Sequence, residues 1–323
     1  MDAGRRKIAV ALLSVISNMT LTAVKLVAGF LIGSVSILSE AIHSAMDLLA
    51  ALIAFFSVRK SGMPADTRHP FGHGKIENIS GTIEALLIFV AAGWIIYEAV
   101  DRVLEPKPLE EFGWGVGVML FSGGVNTVVS TLLFKVGKET DSVALEADAW
   151  HLRTDVYTSV GVMLSLSLIW LGEGVFKGVH FDWLDPAAAI GIALLIIKAA
   201  YDLTVKSTRD LMDARLPEEE ETWIHRLIMS HSPDIHGFHD LRTRKAGGFR
   251  FVEFHMKVDA HMTVEDSHRI TEEIADRIEK HFPGASVTIH TEPCDGNCDA
   301  KCIEGCLLPA KGDMNSKSNL QVG

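Results

Sequence analysis

Two short stretches of this chain set an imidazole and a carboxylate four residues apart in apolar surroundings. Residues 39–52 read SEAIHSAMDLLAAL, with His43 and Asp47, and residues 144–160 read ALEADAWHLRTDVYTSV, with His151 and Asp155. On a helix such a pair shares one face, with Cβ atoms ~6 Å apart. Two helices of this kind supply two imidazoles and two carboxylates, the number of N/O ligands that a tetrahedral Zn²⁺ takes at ~2.0–2.2 Å. Neither motif contains Cys, and the thioether of Met46 has no counterpart in the second stretch, which argues against Cu(I). With neutral histidines the four groups sum to a charge that one divalent ion cancels. His and Asp must be deprotonated to bind metal, so protons are the natural counter-ion, and the pair of motifs points to metal/proton exchange. The plain alternative is an intrahelical hydrogen bond within each pair, or a helix–helix contact.

The elements that must position these groups are long and apolar. Six segments reach the ~20 apolar residues that a membrane span needs: about 8–32, 34–58, 78–103, 113–135, 143–171 and 184–207. An ionisable group at that depth costs at least ~2.5–3.5 kcal/mol, which marks His43, Asp47, His151 and Asp155 as functional. Lys25, Glu40, Glu84, Glu98 and Asp148 also fall in these segments, some close enough to an end to snorkel. Arg5, Arg6 and Lys7 precede the first span; Arg59, Lys60, Arg68 and Lys75 follow the second, and Lys135 and Lys138 the fourth. The opposite loops are short or acidic, so the positive-inside rule places both termini in the cytoplasm. The glycine-rich fourth span (Gly113, Gly115, Gly117, Gly123, Gly124) predicts close helix approach.

The chain has 323 residues, 48% of them apolar, and a mean hydropathy of +0.24. That average hides a change of character near Val205–Arg209, beyond which the sequence is charged and His-rich. Residues 1–210 therefore form a membrane domain, 211–293 a polar domain and 294–323 a Cys-containing tail. A net charge of −11 makes cations better partners than nucleic acid. The first apolar run is longer than a signal h-region and lacks an A-x-A-like site, so it reads as a retained span. The four cysteines all lie in the tail, which suits a reducing compartment.

After the second span, PADTRHPFGHGKIEN offers Asp66, His69 and His73 within eight residues; taken alone they are equally a ligand set or surface histidines. In the polar domain, LPEEEETWIHRLIMSH begins a helix at Pro217 with acids in its first turn. HDLRTRKAGGFRFVEFHMKVD reads as a hairpin turning at Ala246-Gly247-Gly248. A second helix over 264–282 is capped by Thr263 with Asp266 at the box position, and ASVTIHTEP closes as a strand. The order α-β-β-α-β is a two-layer α+β sandwich. Nine of the fourteen histidines lie between His225 and His290.

The paired H-x-x-x-D motifs on the second and fifth of six spans, followed by a short polar domain, resemble the cation diffusion facilitator family, and most of all its bacterial YiiP-type exporters of zinc and other divalent metals. The resemblance covers residues from about 8 to 293. It implies a homodimeric metal/proton antiporter in the bacterial inner (plasma) membrane, with a ferredoxin-like cytoplasmic domain. It makes Asp66, His69 and His73 a loop metal site, and His239, His255, His268, His290 and Glu292 a cytoplasmic binuclear site that senses supply and stabilises the dimer. It also implies an ion pair between Lys75 and Asp213 at the junction of the two domains, a positioning device of modest energy. His43 stands where those exporters carry Asp, which implies Zn²⁺ as the preferred substrate, with Cd²⁺, Fe²⁺, Co²⁺ or Mn²⁺ weaker. Glu292 likewise stands for Asp, keeping the charge and lengthening the reach. The remaining histidines of the polar domain (His225, His231, His236, His261, His281) match nothing in that pattern and read as solvated surface.

The tail departs from the family. Cys294, Cys298, Cys302 and Cys306 recur every four residues, a slowly drifting stripe on a helix that is either an extra soft-metal site or a flexible tail with reactive thiols. Two other function classes compete with transport. An intramembrane metalloenzyme needs an open metal position and a base such as the Glu of H-E-x-x-H, which the sequence lacks. A metal-sensing receptor uses the same ligands without transport. No Walker A sequence is present, so no nucleotide is expected to drive the protein.

Overall fold

The computed structural model describes residues 3–32, 35–104, 114–175, 184–294 and 305–308. Six long helices come first: α1 (Ala3–Ile32), α2 (Val35–Ser61), α3 (Lys75–Leu104), α4 (Trp114–Thr140), α5 (Val143–Val175) and α6 (Leu184–Leu211). Then follow α7 (Glu218–Met229), β1 (Gly237–Ala246), β2 (Phe249–Asp259), α8 (Val264–His281) and β3 (Ser286–Cys294), the expected α-β-β-α-β order. The chain divides into two compact units, one ending at Met212 and one beginning at Asp213, the hairpin tip Ala246–Gly248 aside.

Among the described residues, α1, α2, α3, α4 and α6 are each apolar enough over a sufficient length to cross a membrane, while the first half of α5 carries Glu146, Asp148, Arg153 and Asp155. Helices also run past the apolar stretches that define spans: α2 continues through Arg59 and Lys60, and α4 through Lys138. Cations in a last turn complement the helix dipole, so the backbone stays helical after its side chains turn polar. Large apolar side chains such as Phe30, Val90, Trp94, Phe121, Leu194 and Leu195 face outward, as a lipid-facing surface requires.

Helix α5 sits at the centre of its unit and buries two apolar faces. Ala144, Leu145, Ala149 and Leu152 pack with Ala11 of α1, Val58 of α2 and Val129 and Leu133 of α4. Val143 and Ala147 pack with Ala85 and Ile88 of α3 and Ile196, Ala200 and Leu203 of α6. Of the glycines in α4 expected to mark a close approach, Gly117, Gly123 and Gly124 do not meet another helix within the chain. A Cβ added at Gly117, Gly123 or Gly124 would touch nothing within 4 Å. At Gly161 of α5 it would lie 1.9 Å from Ile192 Cδ1, and at Gly81 of α3 2.7 Å from Val143 Cγ1. Small residues matter where a neighbouring backbone crosses, which composition alone does not locate.

One buried carboxylate ties four elements together. Glu77, 1% exposed, accepts from Lys7 Nζ of α1 at 3.1 Å, from Ser61 Oγ of α2 at 2.7 Å and from Ser142 Oγ just before α5. Each partner neutralises or solvates a charge that burial would otherwise penalise.

In the second unit the sheet order is β1-β2-β3, with β2 and β3 parallel. Gly247, at φ +58°, makes the two-residue turn between β1 and β2, a conformation that favours glycine. Along β2 the side chains alternate: Val252, Phe254, Met256 and Val258 are buried with Ile224 and Ile228 of α7 and Ile270, Ile274 and Ile278 of α8. Residues Glu253, His255 and Lys257 therefore take the face away from the helices. Thr263 caps α8, its hydroxyl accepting from Asp266 N–H at 3.1 Å. The expected box closes differently, because the Asp266 carboxylate accepts from the Thr263 hydroxyl at 2.6 Å and from Arg269 Nη2 at 3.2 Å.

Two outcomes follow. Glu77→Ala strands the Lys7 ammonium among helices and is expected to destabilise the membrane unit by ~3–5 kcal/mol, read as a lowered unfolding midpoint in lipid nanodiscs. The Thr263 hydroxyl, then Arg269, holds the Asp266 carboxyl below its usual range. A lowered folded pKa stabilises above the ordinary aspartate value of about 3.9 and stops doing so as pH falls through the lowered one. The stability gap between the native chain and Asp266→Asn is therefore present at neutral pH and closes in acid; a gap unchanged with pH contradicts the assignment.

Candidate metal centres

The i, i+4 spacing puts His43 and Asp47 on one face of α2 and His151 and Asp155 on one face of α5. Where the two helices meet, the imidazole of each reaches the carboxylate of the other. His151 Nε2 lies 3.1 Å from Asp47 Oδ1, and His43 Nε2 lies 3.4 Å from Asp155 Oδ1. The pairing is interhelical, which sets aside the intrahelical alternative for both motifs. A tetrahedron of ligands at ~2.1 Å from its centre has edges of ~3.4 Å, so both separations suit two ligands of one ion. His43, Asp47 and Asp155 also bring ligand atoms within 4.8 Å of one another. The site is closed at Asp47 and His151, whose side chains are 4% and 10% exposed. At His43, 53% exposed, it is open. Asn126 of α4 donates to Asp155 Oδ2 at 3.4 Å, a supporting contact that the sequence did not single out, since nothing local links residue 126 to residue 155.

The loop after α2 gathers Asp66, His69 and His73, with one ligand atom from each within 4.8 Å of the others. Asp66 Oδ1 accepts the backbone N–H groups of Arg68 and His69 at 2.8 and 2.7 Å, the Asx-type closure of a tight loop. Those bonds, the one from His69 foremost, hold the Asp66 carboxyl below its usual range. His73 Nε2 stands 3.3 Å from Asp66 Oδ2 without hydrogen-bond geometry, and both its ring nitrogens are buried with no hydrogen-bond partner. A buried imidazole with unpaired nitrogens beside a carboxylate has the donor chemistry that a metal ligand requires. Lys75, at the start of α3, donates to the Leu211 carbonyl at 3.4 Å. Asp213, at φ +55°, takes Arg244 Nη1 at 3.4 Å.

On the open face of the sheet, strand parity and register assemble a third cluster. β2 and β3 pair His255 with His290 and Lys257 with Glu292, so four polar side chains share that face. Glu292 Oε1 is 2.9 Å from His255 Nδ1 and 3.6 Å from His290 Nε2, and Oε2 is 3.7 Å from His239 Nε2. Lys257 Nζ reaches Glu292 Oε2 at 2.7 Å. That ammonium, followed by His255, holds the Glu292 carboxyl below its usual range. Asp240 joins His239 and His255, a residue missed from the sequence. Adjacent strand residues normally face opposite sides, but Asp240 has φ +51°, and that left-handed residue breaks the alternation. His268 lies instead on α8, 3.3 Å from Glu272 Oε1 one turn on. Of the five expected ligands, four converge on Glu292 and its neighbours while His268 pairs within its helix.

The tail does not continue as a helix at Cys306. Cys306 bridges antiparallel to Gly237, with Phe238 N–H donating to Gly305 O at 3.1 Å and Leu307 N–H to His236 O at 2.9 Å. It thus occupies the edge of β1 opposite β2, while Cys294 ends β3 on the far edge. Three strand spacings, ~14 Å, separate thiols that would need to be ~4 Å apart to share one ion. Cys298 and Cys302 lie outside the described residues.

Comparison with known proteins was made against this geometry. Residues 11–212 match the model of the cation efflux transmembrane domain, and residues 216–294 that of the cation efflux protein cytoplasmic domain. An uncharacterized transporter of Synechocystis sp. is 36% identical over 285 residues, 88% of this chain and 90% of that protein. The cation-efflux pump FieF of Citrobacter koseri is 31% identical over 291 residues, 90% of this chain and 94% of that one. Among solved structures, the metal-bound C-terminal domain of the CzcD transporter from Thermotoga maritima is 30% identical, covering 26% of this chain and all of that one at a TM-score of 0.23.

Supporting contacts of ligands typically change metal affinity by ~10–100-fold. Asn126→Ala is therefore expected to weaken ion binding at the α2–α5 site by that factor, measured by competition against a chelator, and to leave binding by the sheet cluster unchanged.

Proposed function

The chain belongs to the cation diffusion facilitator family of cation efflux transporters, and from that premise we propose that it exports zinc in exchange for protons. The observation that carries this reading is the pair of cross-helix contacts, His43 with Asp155 and His151 with Asp47. Two imidazole nitrogens and two carboxylate oxygens form a donor set that suits zinc better than soft-ligand Cu(I) or all-oxygen Mg²⁺ and Ca²⁺. His43 in place of an Asp adds nitrogen character, which favours Zn²⁺ over Cd²⁺, Fe²⁺, Co²⁺ and Mn²⁺.

The exchange follows from the ligands themselves. A Zn²⁺ ion cancels the two aspartates; when it leaves, the same groups take up protons instead of standing charged in a medium of low dielectric. Binding metal on one side and protons on the other then couples the two fluxes through alternating access. Arg5, Arg6, Lys7, Arg59, Lys60 and Lys138 mark the cytoplasmic ends, in the inner (plasma) membrane of a bacterial cell. Asp66, His69 and His73 hold an ion at the loop. His239, Asp240, His255, His290 and Glu292 hold ions in the cytoplasmic domain, where they report metal supply and steady a homodimer.

Zinc entry into inside-out proteoliposomes, followed with radioactive zinc and an internal pH dye, tests the reading. Zinc uptake matched by proton exit is expected in the native chain, with both reduced to the leak of empty vesicles by Asp155→Ala. Zinc bound without entry would turn the protein into a sensor, and zinc entry without proton movement would sink the antiport.

A further inference from the structure

We infer that Glu84 of α3 and Asp148 of α5 form a second intramembrane site for the divalent cation, a waiting position one turn from the four-ligand site. It rests on the transport reading above, but its evidence is separate. Helices α3 and α5 touch through Ala85, Ile88, Val143 and Ala147, the immediate neighbours of Glu84 and Asp148 among them. Gly81 permits that approach, since a Cβ there would stand 2.7 Å from Val143 Cγ1 and 2.8 Å from Ser207 Oγ of α6. Both carboxylates are 0% exposed, and the charge of Asp148 acts on Glu84.

Their oxygens are left wanting. Glu84 Oε1 accepts from Ser80 Oγ at 3.0 Å, but Glu84 Oε2 and both oxygens of Asp148 are buried with no hydrogen-bond partner. Ser14 of α1 approaches Asp148 outside hydrogen-bonding geometry. Ser207 Oγ, facing α3 one turn before Glu84, is likewise buried without a partner. Orphaned buried oxygens are uncommon and carry the full loss of their hydration, and repulsion between like charges adds to it. The charged groups that act on Asp148 are His151 and Asp47, themselves ligands of the neighbouring site. Lys7, on α1, is engaged by Glu77.

A divalent cation resolves all of this at once. Its charge cancels two carboxylates, and the unpaired oxygens become its ligands. With oxygen donors alone the site holds zinc less tightly than the quartet with two imidazoles, so an ion can move on. Position fits passage: Asp148 precedes His151 by about one helical turn, ~4.5 Å along the axis. Glu84 lies two turns beyond Glu77 and the helix ends that it ties together.

The test counts radioactive zinc bound by the full-length chain in lipid nanodiscs, with Asp47, Asp155, His69 and His255 replaced by Ala. That background is expected to keep an ion that Glu84→Gln or Asp148→Asn removes. Both replacements keep shape and remove an unpaired buried charge, so the metal-free protein should melt higher, which separates loss of a site from loss of fold. In the otherwise native chain, Glu84→Gln is expected to slow zinc flux at least tenfold while Co²⁺ still gives the intense absorption of a tetrahedral N/O site. An ion that neither replacement displaces, or no ion in the background at all, overturns the proposal. Flux equal to the native rate in Glu84→Gln also overturns it and leaves the transport reading standing. If the native chain moves no zinc, the transport reading fails, and the ion count still decides the Glu84–Asp148 site.

Discussion

Asp47 and Asp155 are carboxylates held among helices, the first buried and the second half-buried, and most of the membrane unit can be understood as the means of making that tolerable. Each is met by an imidazole from the opposite helix, at 3.1 and 3.4 Å, so neither motif is complete on its own element. Charge in a low dielectric is stable only beside its complement, and here that complement is always a side chain from somewhere else in the chain. The helix that carries half of the set, α5, is therefore enclosed on two faces by small and aliphatic residues from α1, α2, α3, α4 and α6. Its polar third face could not be turned to lipid.

The same rule recurs at the helix ends. Glu77 is buried and draws an ammonium and two hydroxyls from three other segments. That single carboxylate ties together the ends of helices whose middle parts present His and Asp. Glu84 and Asp148 are the contrasting case, since Glu84 Oε2 and both Asp148 oxygens are buried without such partners.

In the second unit the sheet does what helix crossing does in the first. Alternation along β2 sends its aliphatic and aromatic side chains to α7 and α8 and leaves His255 and Lys257 on the open face. Parallel pairing with β3 then places His290 and Glu292 opposite them. Lys257 and three imidazoles all turn to Glu292, and the ammonium beside it holds that carboxyl below its usual range.

Much of this is written in short-range pattern. Four-residue spacing in an apolar run fixes which groups share a helix face, and two-residue alternation fixes which groups share a sheet face, because both periods are properties of the local backbone. The cap at Thr263, the turn at Gly247 and the order of elements follow from equally local chemistry. Partnership between elements does not. Nothing near Asp155 in the sequence names His43 or Asn126, nothing near Glu77 names Ser142, and nothing near Glu292 names Lys257. The four-residue recurrence of cysteines suggested a helical stripe, but hydrogen bonds to the edge of β1 decided the path at Cys306. Gly117, Gly123 and Gly124 of α4 suggested a crossing, but the packing makes tight approaches at Gly81, Gly137 and Gly161. The sequence by itself determined which residues could be ligands and on which face each stands. The tertiary structure alone decided which faces meet, because that depends on how volumes, crossings and buried charges across the whole chain are satisfied together.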